Sequence, residues 1–535
     1  MGIRPTFFGL EIARTGLVVS QKGLDVTAHN ISNVNTPGYT RQRLIQAAYA
    51  PYDAITQFRP VDEALVGTGA HALILDQVRS EFLDQQYRNA LSPTEYWNAK
   101  TQGLQYIEPL FDDSGEGSLY ASLQGFLTAL NTETTEANDR EQRELIQERG
   151  KALTDNFNLI YSRLLALQED QNLAVDTVTR RINTIANNIA ELNKTIQSYE
   201  VAGQPANDLR DQRNSLLDEL SGLADITYDI GADNQLSIQI GGKDLVKHLT
   251  VTELKCVETK NPLTGKMDIL TPVWTDNDAP LELQFGELKA HLDLQGGAND
   301  ADDDSSIAYF AKQLDTLARA IAQEVNRVHS GGYTHPAADP NGESKNGVHF
   351  FDGAVAVDDD GNGEQDTDVD GNLVWDYSAV NAGNFKLSDE VAGNVYMIAS
   401  SNEKIVMDES DPNFNANLMT HVGNQENMRE IAKLFDLQNI TYNGISIGSF
   451  EGFLNGITLD VATVLNHSKN TQSTYTTQSA DISSQREAIS GVSLDEEMTN
   501  LIKYQHAYNG AARVITAMDE AINTIINSMG IVGRG

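Results

Sequence analysis

Apolar residues repeat every seven positions at both ends of this chain, and such a repeat admits few structures other than long, partnered helices. Near the N-terminus Leu10, Leu17, Leu24 and Ile31 recur at that interval, and Ile12, Val19 and Val26 do so two positions further on. Positions 6–34 hold no proline and are bounded by Pro5 and by Thr36-Pro37-Gly38, so helix is expected across them. Two residues turn about 200° around a helix, which puts the two stripes on nearly opposite faces and calls for contacts on both sides. At the other end Ser493-x-x-Glu496 has the form of a capping box, and Leu494, Leu501, Tyr508, Ile515, Ile522 and Met529 follow at seven-residue steps. Met498, Ala512 and Ile526 supply the expected second seam position, interrupted by Gln505 and Asp519. With Gly530 as its stop, this helix would run about 54 Å.

The middle of the chain reads differently. Residues 139–221 are expected to be helical, with Val175, Val178, Ile182, Ile185, Ile189, Leu192 and Ile196 in 3-4 spacing. Residues 226–295 change to short alternating runs broken by Gly and Asp, such as Leu236-Ser237-Ile238-Gln239-Ile240-Gly241-Gly242, the pattern of strands and tight turns. Helix returns over 305–328 through Ile307, Phe310, Leu314, Leu317, Ile321 and Val328, and again near 425–436 and 450–485. The expected fold class is therefore α+β and multidomain: long-helix coiled-coil terminal and rod domains with inserted β lobes. Residues 1–45 and 490–535 form the paired terminal helices, and 46–225 with 305–330 and 377–489 a helical rod. A β domain spans 226–300, and 331–376 is an acidic, Gly/Asp-rich insertion.

Charge narrows the function. Of 535 residues, 38 are Lys or Arg and 76 are Asp or Glu, a net charge of −38, which disfavours nucleic acid and anionic membranes as partners. The acids are unevenly spread: residues 1–45 carry +3 and 490–535 carry −2, while 352–376 hold nine acids and no base. Near-neutral ends suit close packing of subunits and acidic lobes suit a solvated exterior. Cys256 is the only cysteine, too few for an internal disulfide or a cysteine zinc site. No apolar run approaches the roughly 18 residues of a membrane span. Glu11 and Arg14 interrupt the N-terminal apolar stretch, so a cleaved signal peptide is not expected.

Candidate sites for small ligands are few. Gly67-Thr68-Gly69-Ala70-His71-Ala72 fits a loose dinucleotide pattern, but the β-like run Ala70–Leu75 follows the glycines where a helix is required, so a turn into a strand is expected instead. Asp358, Asp360, Asn362 and Asp366 alternate with a turn glycine as in calcium loops, yet position twelve is Val369 where a bidentate Glu is needed. A solvated acidic loop is the commoner outcome of such a run, and no cofactor is required, with calcium the one candidate. No metalloprotease, nucleophile-elbow or phosphate-loop motif occurs, so no enzyme is indicated.

The most specific signal is structural. His29-Asn30-Ile31-Ser32-Asn33-Val34-Asn35-Thr36-Pro37-Gly38-Tyr39-Thr40-Arg41 closely resembles the N-terminal signature of bacterial flagellar rod, hook and junction proteins. Gly491-Val492-Ser493-Leu494-Asp495-Glu496-Glu497-Met498, continuing through Asn500-Leu501-Ile502 and Tyr504-Gln505 to Ala512-Arg513-Val514-Ile515, resembles their C-terminal one. Within that superfamily, Pro37-Gly38-Tyr39-Thr40-Arg41 is similar to the hook-associated protein 1 family, the first of the hook–filament junction proteins. Asn207-Asp208-Leu209-x-Asp211-Gln212-Arg213, Phe82-Leu83-x-x-Gln86, Gly286-Glu287-Leu288, and Tyr309 through Asn326 and His329 extend the likeness in order along the chain. The acidic run 352–376 has no counterpart in it.

The resemblance implies export without signal cleavage through the flagellar type III apparatus, and pairing of the terminal helices into an inner tube on incorporation. It also implies self-assembly into a ring at the hook–filament junction outside the cell. The implied partners are the hook protein, the second hook-associated junction protein and an export chaperone on the C-terminal helix. The assembly residues it implies are Asn30, Ser32, Asn33, Asn35, Thr36, Pro37, Gly38 and Tyr39 together with the two heptad stripes. Alternatives are a hook or distal-rod subunit, a secreted calcium-dependent binding or adhesion protein built on 331–376, an enzyme in the inserted lobe, and, for the heptads alone, an ordinary intramolecular bundle.

Overall fold

The structure, a computed structural model, describes residues 8–49, 67–112, 115, 117–132, 139–231, 235–297, 304–339, 343–357, 374–404, 424–442 and 445–529. It opens with helix α1 (Phe8–Ser32) and an antiparallel hairpin of β1 (Gln42–Ala48) and β2 (Ala70–Gln77). Helices α2 (Glu81–Ile107), α3 (Leu119–Asn131), α4 (Asp139–Val201) and α5 (Asn207–Leu223) follow. The glycines ahead of β2 lead into a strand, as their lack of a following helix requires; Gly69 takes φ +110°, open to glycine and strained for other residues.

Six strands come next: β3 (Ile226–Ile230), β4 (Leu236–Ile240), β5 (Lys243–Lys247), β6 (Thr250–Val251), β7 (Leu254–Lys260) and β8 (Met267–Trp274). The first four form one antiparallel sheet in chain order, and the last two a separate hairpin. Gly241 and Gly242, at φ +55° and +78°, make the two-residue turn between β4 and β5 that positive φ at both centres demands. Helices α6 (Glu287–Gln295), α7 (Ile307–Gly331), α8 (Asp389–Gly393) and α9 (Glu426–Leu434) precede the two long C-terminal helices, α10 (Phe450–Ser490) and α11 (Leu494–Met529).

Two separate hydrophobic cores are threaded by one helix. The 63-residue α4 is roughly 95 Å long at ~1.5 Å per residue. Its first half sends Ile146, Leu153, Phe157 and Leu164 into a core shared with α3, α7, α9 and the start of α10. Its second half sends Val175, Val178, Ile182, Ile185 and Ile189 into a core shared with α5 and the strands. The expected rod of 46–225 is thus divided, because the heptad that looked like a coiled-coil seam buries itself against the β lobe of the same chain. Leu192 departs from its expected place. It is half-exposed, and the neighbouring Asn193 is buried instead. Asn193 donates to the carbonyls of Leu236 and His248 at 2.9 and 2.7 Å, pinning the sheet to the helix.

The expected insertion 331–376 also differs from its composition. Val348, Phe350 and Phe351 belong to the first core. The Asn326 side chain accepts from the backbone N–H groups of Phe350 and Phe351 and donates to the Phe351 carbonyl. His329, fully buried, has Nδ1 2.7 Å from the Val348 carbonyl, and its Nε2 accepts from the Ala399 N–H at 2.9 Å, a pattern that fixes the neutral ring with the proton on Nδ1. Abundant Gly and Asp around one buried aromatic pair hid a core segment. The calcium candidates Asp358, Asp360, Asn362 and Asp366 lie outside the described residues.

Candidate functional site

Helices α1 and α11 pack antiparallel, and the seam between them is lined by small residues on the α1 side. A Cβ placed on Gly9 would meet the Met518 side chain, one on Gly16 would lie 3.9 Å from Ala511 Cβ, and one on Gly23 would lie 2.6 Å from the Tyr504 ring. Asn30 Nδ2 donates to Glu497 Oε2 at 3.0 Å one heptad further along. Those four pairs step by seven residues on both helices, in opposite directions. Ala13, Ser20 and Thr27 are the buried residues at the alternate seam position of α1.

The expected stripes flank this seam rather than form it. Leu10, Leu17, Leu24 and Ile31 are half-buried on one shoulder, and Ile12, Val19 and Val26 lie on the other, with only Val19 buried. On α11, Leu501, Tyr508, Ile515 and Ile522 are half-buried and do face inward. The second seam position, however, is Glu497, Tyr504, Ala511 and Met518, not Met498, Ala512 and Ile526. Leu494, Met498 and Ile526 are exposed, at 48%, 49% and 66%. The physical reason is that large side chains of α11 need room to insert, and glycine backbone provides it. A search for large apolar residues passes over glycines spaced seven apart, though that spacing was readable.

Below the seam the chain ends of the pair are tied to the rod by a buried polar knot. Asn30 is 1% exposed and uses its whole amide. Its Nδ2 also donates to the Gln42 carbonyl at 2.9 Å, while Oδ1 accepts from Gln42 N–H at 3.0 Å and Tyr39 O–H at 2.7 Å. Arg41 spans the two termini. Its Nε donates to Glu497 Oε1 at 2.9 Å, its Nη1 to Glu496 Oε2 at 2.6 Å, and its backbone N–H to the Ser490 carbonyl at 2.9 Å. Because Glu496 turns to Arg41, the expected capping box is half made: Ser493 Oγ accepts from Glu496 N–H at 3.5 Å without the reciprocal bond.

Helix α5 closes the knot. Asp211 accepts from Thr40 N–H at 3.0 Å and from Gln77 Nε2 at 2.8 Å. Asp218 receives both Arg88 and Arg486 at 2.7 Å, which ties α2, α5 and α10 together. Burial raises the Asp211 carboxyl above its ordinary range, against the Thr40 hydrogen bonds and the Arg79 guanidinium that lower it. Burial also raises the Tyr39 phenol, helped by the carboxylates of Asp208, Asp211 and Glu497, so it stays a hydrogen-bond donor.

The remaining signature residues shape the turn out of α1. Ser32 Oγ donates to the Ala28 carbonyl at 2.8 Å, Asn33 Nδ2 to the His29 carbonyl at 3.0 Å, and Thr36 Oγ1 to Asn33 Oδ1 at 3.2 Å. Gly38 takes φ +76°, so a side chain there would be strained. Asn35, Thr36, Pro37 and Gly38 are exposed. With α4 and α5 the turn encloses an open groove of about 710 Å³, floored by Leu192, Leu209 and Leu216 and edged by Glu191 and Asp208.

The sequence pattern described as "Flagellar hook-associated protein FlgK helical domain" matches residues 104–351. "Flagella basal body rod protein" matches 10–40, and "Flagellar basal body rod FlgEFG protein C-terminal" matches 483–529. Flagellar hook-associated protein 1 of Bacillus subtilis is 28% identical over 548 residues, covering 99% of each chain. Along nearly its whole length the chain is similar to flagellar hook-associated protein 1. The Escherichia coli protein of that name is 26% identical, with 96% of this chain and 98% of that one covered. The flagellar hook junction protein of Burkholderia pseudomallei shares the fold at a TM-score of 0.56 and 14% identity, over 77% of this chain and all of that one. The two rod-type matches coincide with the helix pair and part of its knot, and the helical-domain match takes in the whole second core and the first core as far as Phe351.

Proposed function

We propose that this chain is a structural subunit of the bacterial flagellum that joins the hook to the filament and is needed for filament assembly. One observation carries the reading: between residues 494 and 526 of α11 only Glu497 is buried, while Leu494, Met498, Ile502, Val514, Ile525 and Ile526 stay open. A helix 36 residues long that leaves half of its described large apolar side chains in water is suited to burying them in an assembly. The signature residues Asn30, Tyr39 and Arg41, with Gln42, then serve as a latch that sets the direction in which the pair leaves the rod.

On this reading the subunits form a ring, with the hook protein on one side and the second hook-associated junction protein on the other. The protein reaches that position outside the cell through the flagellar type III route, and a chaperone covers α11 beforehand. No helix among the described residues is long and apolar enough to cross a membrane. The role is mechanical, without catalysis. The test is a strain lacking the gene, complemented with the full chain or with a form truncated before residue 490. The full chain restores filaments and immunogold label sits at the hook–filament boundary, whereas the truncated form leaves hooks bare. Normal filaments on the truncated protein would overturn the proposal.

A further inference from the structure

We infer that the outer face of α11, centred on Gly510, docks into the groove between the Thr36–Tyr39 turn and the α4–α5 hairpin of a second copy of this chain. The inference rests on the ring-forming role proposed above and names the contact between neighbours. Of the four glycines within α1 and α11, Gly9, Gly16 and Gly23 face the partner helix, which explains them by close approach. Gly510 faces outward, and a Cβ placed on it would meet nothing within 4 Å. Glycine weakens a helix interior relative to alanine, so an outward glycine in open space is unaccounted for by the single chain. Close approach of another chain accounts for it.

The chemistry of the face selects the occupant. Lys503, His506 and Arg513 lie around Gly510 at helical spacing, with Ile502 and Val514 beside them, and all are exposed. No acid occurs from Met498 to Met518, in a chain of net charge −38. The groove offers the complement: leucines on its floor, Glu191 and Asp208 at its edge, and no Lys or Arg among its lining residues. The antiparallel register sets Gly510 opposite Leu17, 15 residues short of the end of α1 at Ser32 and so roughly 22 Å from the start of the turn at ~1.5 Å per residue. The face therefore cannot reach its own groove, and a neighbour staggered by about that distance can. Charge complementarity then fixes which face meets which.

The test uses the full chain in a null strain. Lys503→Glu and Glu191→Lys are each expected to cut the number of filamented hooks at least tenfold, and the double exchange to restore it to within twofold of wild type. In a Cys256→Ser background, Gly510→Cys with Leu192→Cys is expected to give oxidised oligomers in isolated flagella, and either cysteine alone none. Gly510→Leu is expected to increase amide protection of α11 in the purified monomer while reducing filaments, opposite signs that a folding defect does not produce. Absence of both rescue and cross-link, with the variants' thermal midpoints unchanged, overturns the groove contact alone. A null strain that still grows filaments overturns the junction reading together with it.

Discussion

The rod and the terminal helix pair bury themselves in opposite ways. In the rod, Phe126 is fully buried and packs its ring 5.4 Å from Phe350 and 6.1 Å from both Phe351 and Phe435. Along residues 494–526 of α11 the one buried side chain is a carboxylate, Glu497, held by Arg41 and Asn30. Most of the rod's large apolar side chains are buried within the chain, with exceptions such as Phe82, Leu173 and Leu459, whereas none of those described on α11 is fully buried. Stability and assembly are thereby given to different regions. A subunit so divided can fold on its own and keep its association surface open.

The largest effect that would sharpen this contrast comes from the rod. Phe126→Ala is expected to cost roughly 3–5 kcal/mol and shift the urea midpoint of the whole rod. Ile515→Ala, half-buried on α11, should leave that midpoint in place while filaments are lost; equal shifts for both would erase the distinction. Next, Arg41→Ala strips the counter-charge from buried Glu497, a loss of up to roughly 3–5 kcal/mol in the docking of α11, reduced by the partial exposure of Arg41. Hydrogen exchange should then show α11 freed and the rod unchanged.

The rod also has its own pH dependence. Burial lowers the His329 imidazole to about 4 from an ordinary value of 6.5. The unfolded chain therefore takes up this proton first, and stability present above pH 6.5 is lost as pH falls towards 4, by roughly 3 kcal/mol at most. A His329→Gln variant should show a flatter midpoint between those pH values. The smallest effect expected is at the seam: Gly23→Ala gains up to about 1 kcal/mol of helix propensity but drives a methyl against Tyr504, so protection of α1 and α11 should fall despite the better helix former. Increased protection there would mean the seam is not close-packed.

Much of this was legible in the sequence. The C-terminal boundary of α1 follows from Thr36-Pro37-Gly38, and the strands of the β lobe from alternating runs with Gly-Gly at the turn. The seam was only half legible, since Leu501, Tyr508, Ile515 and Ile522 announce themselves by size and Gly9, Gly16 and Gly23 do not. The Val175–Ile189 heptad was legible as a seam but not as to its partner, because periodicity states that a face is apolar and not what covers it. Asn326 and His329 gave no sign of pinning Phe350 and Phe351, since that bond crosses a stretch composed like a loop.

By itself, then, the sequence determined the helices, the β lobe and the two terminal signatures, because those depend on local spacing of residue types. Only the tertiary structure decided which spacing faces which. It put glycine rather than leucine at the centre of the α1–α11 seam, turned Glu496 from its cap to Arg41, and joined Asn30, Arg41, Asp211 and Glu497 into one knot. Hydrogen bonds between residues hundreds of positions apart have no local signature, and the close approach of two backbones is encoded by the absence of side chains rather than by their presence.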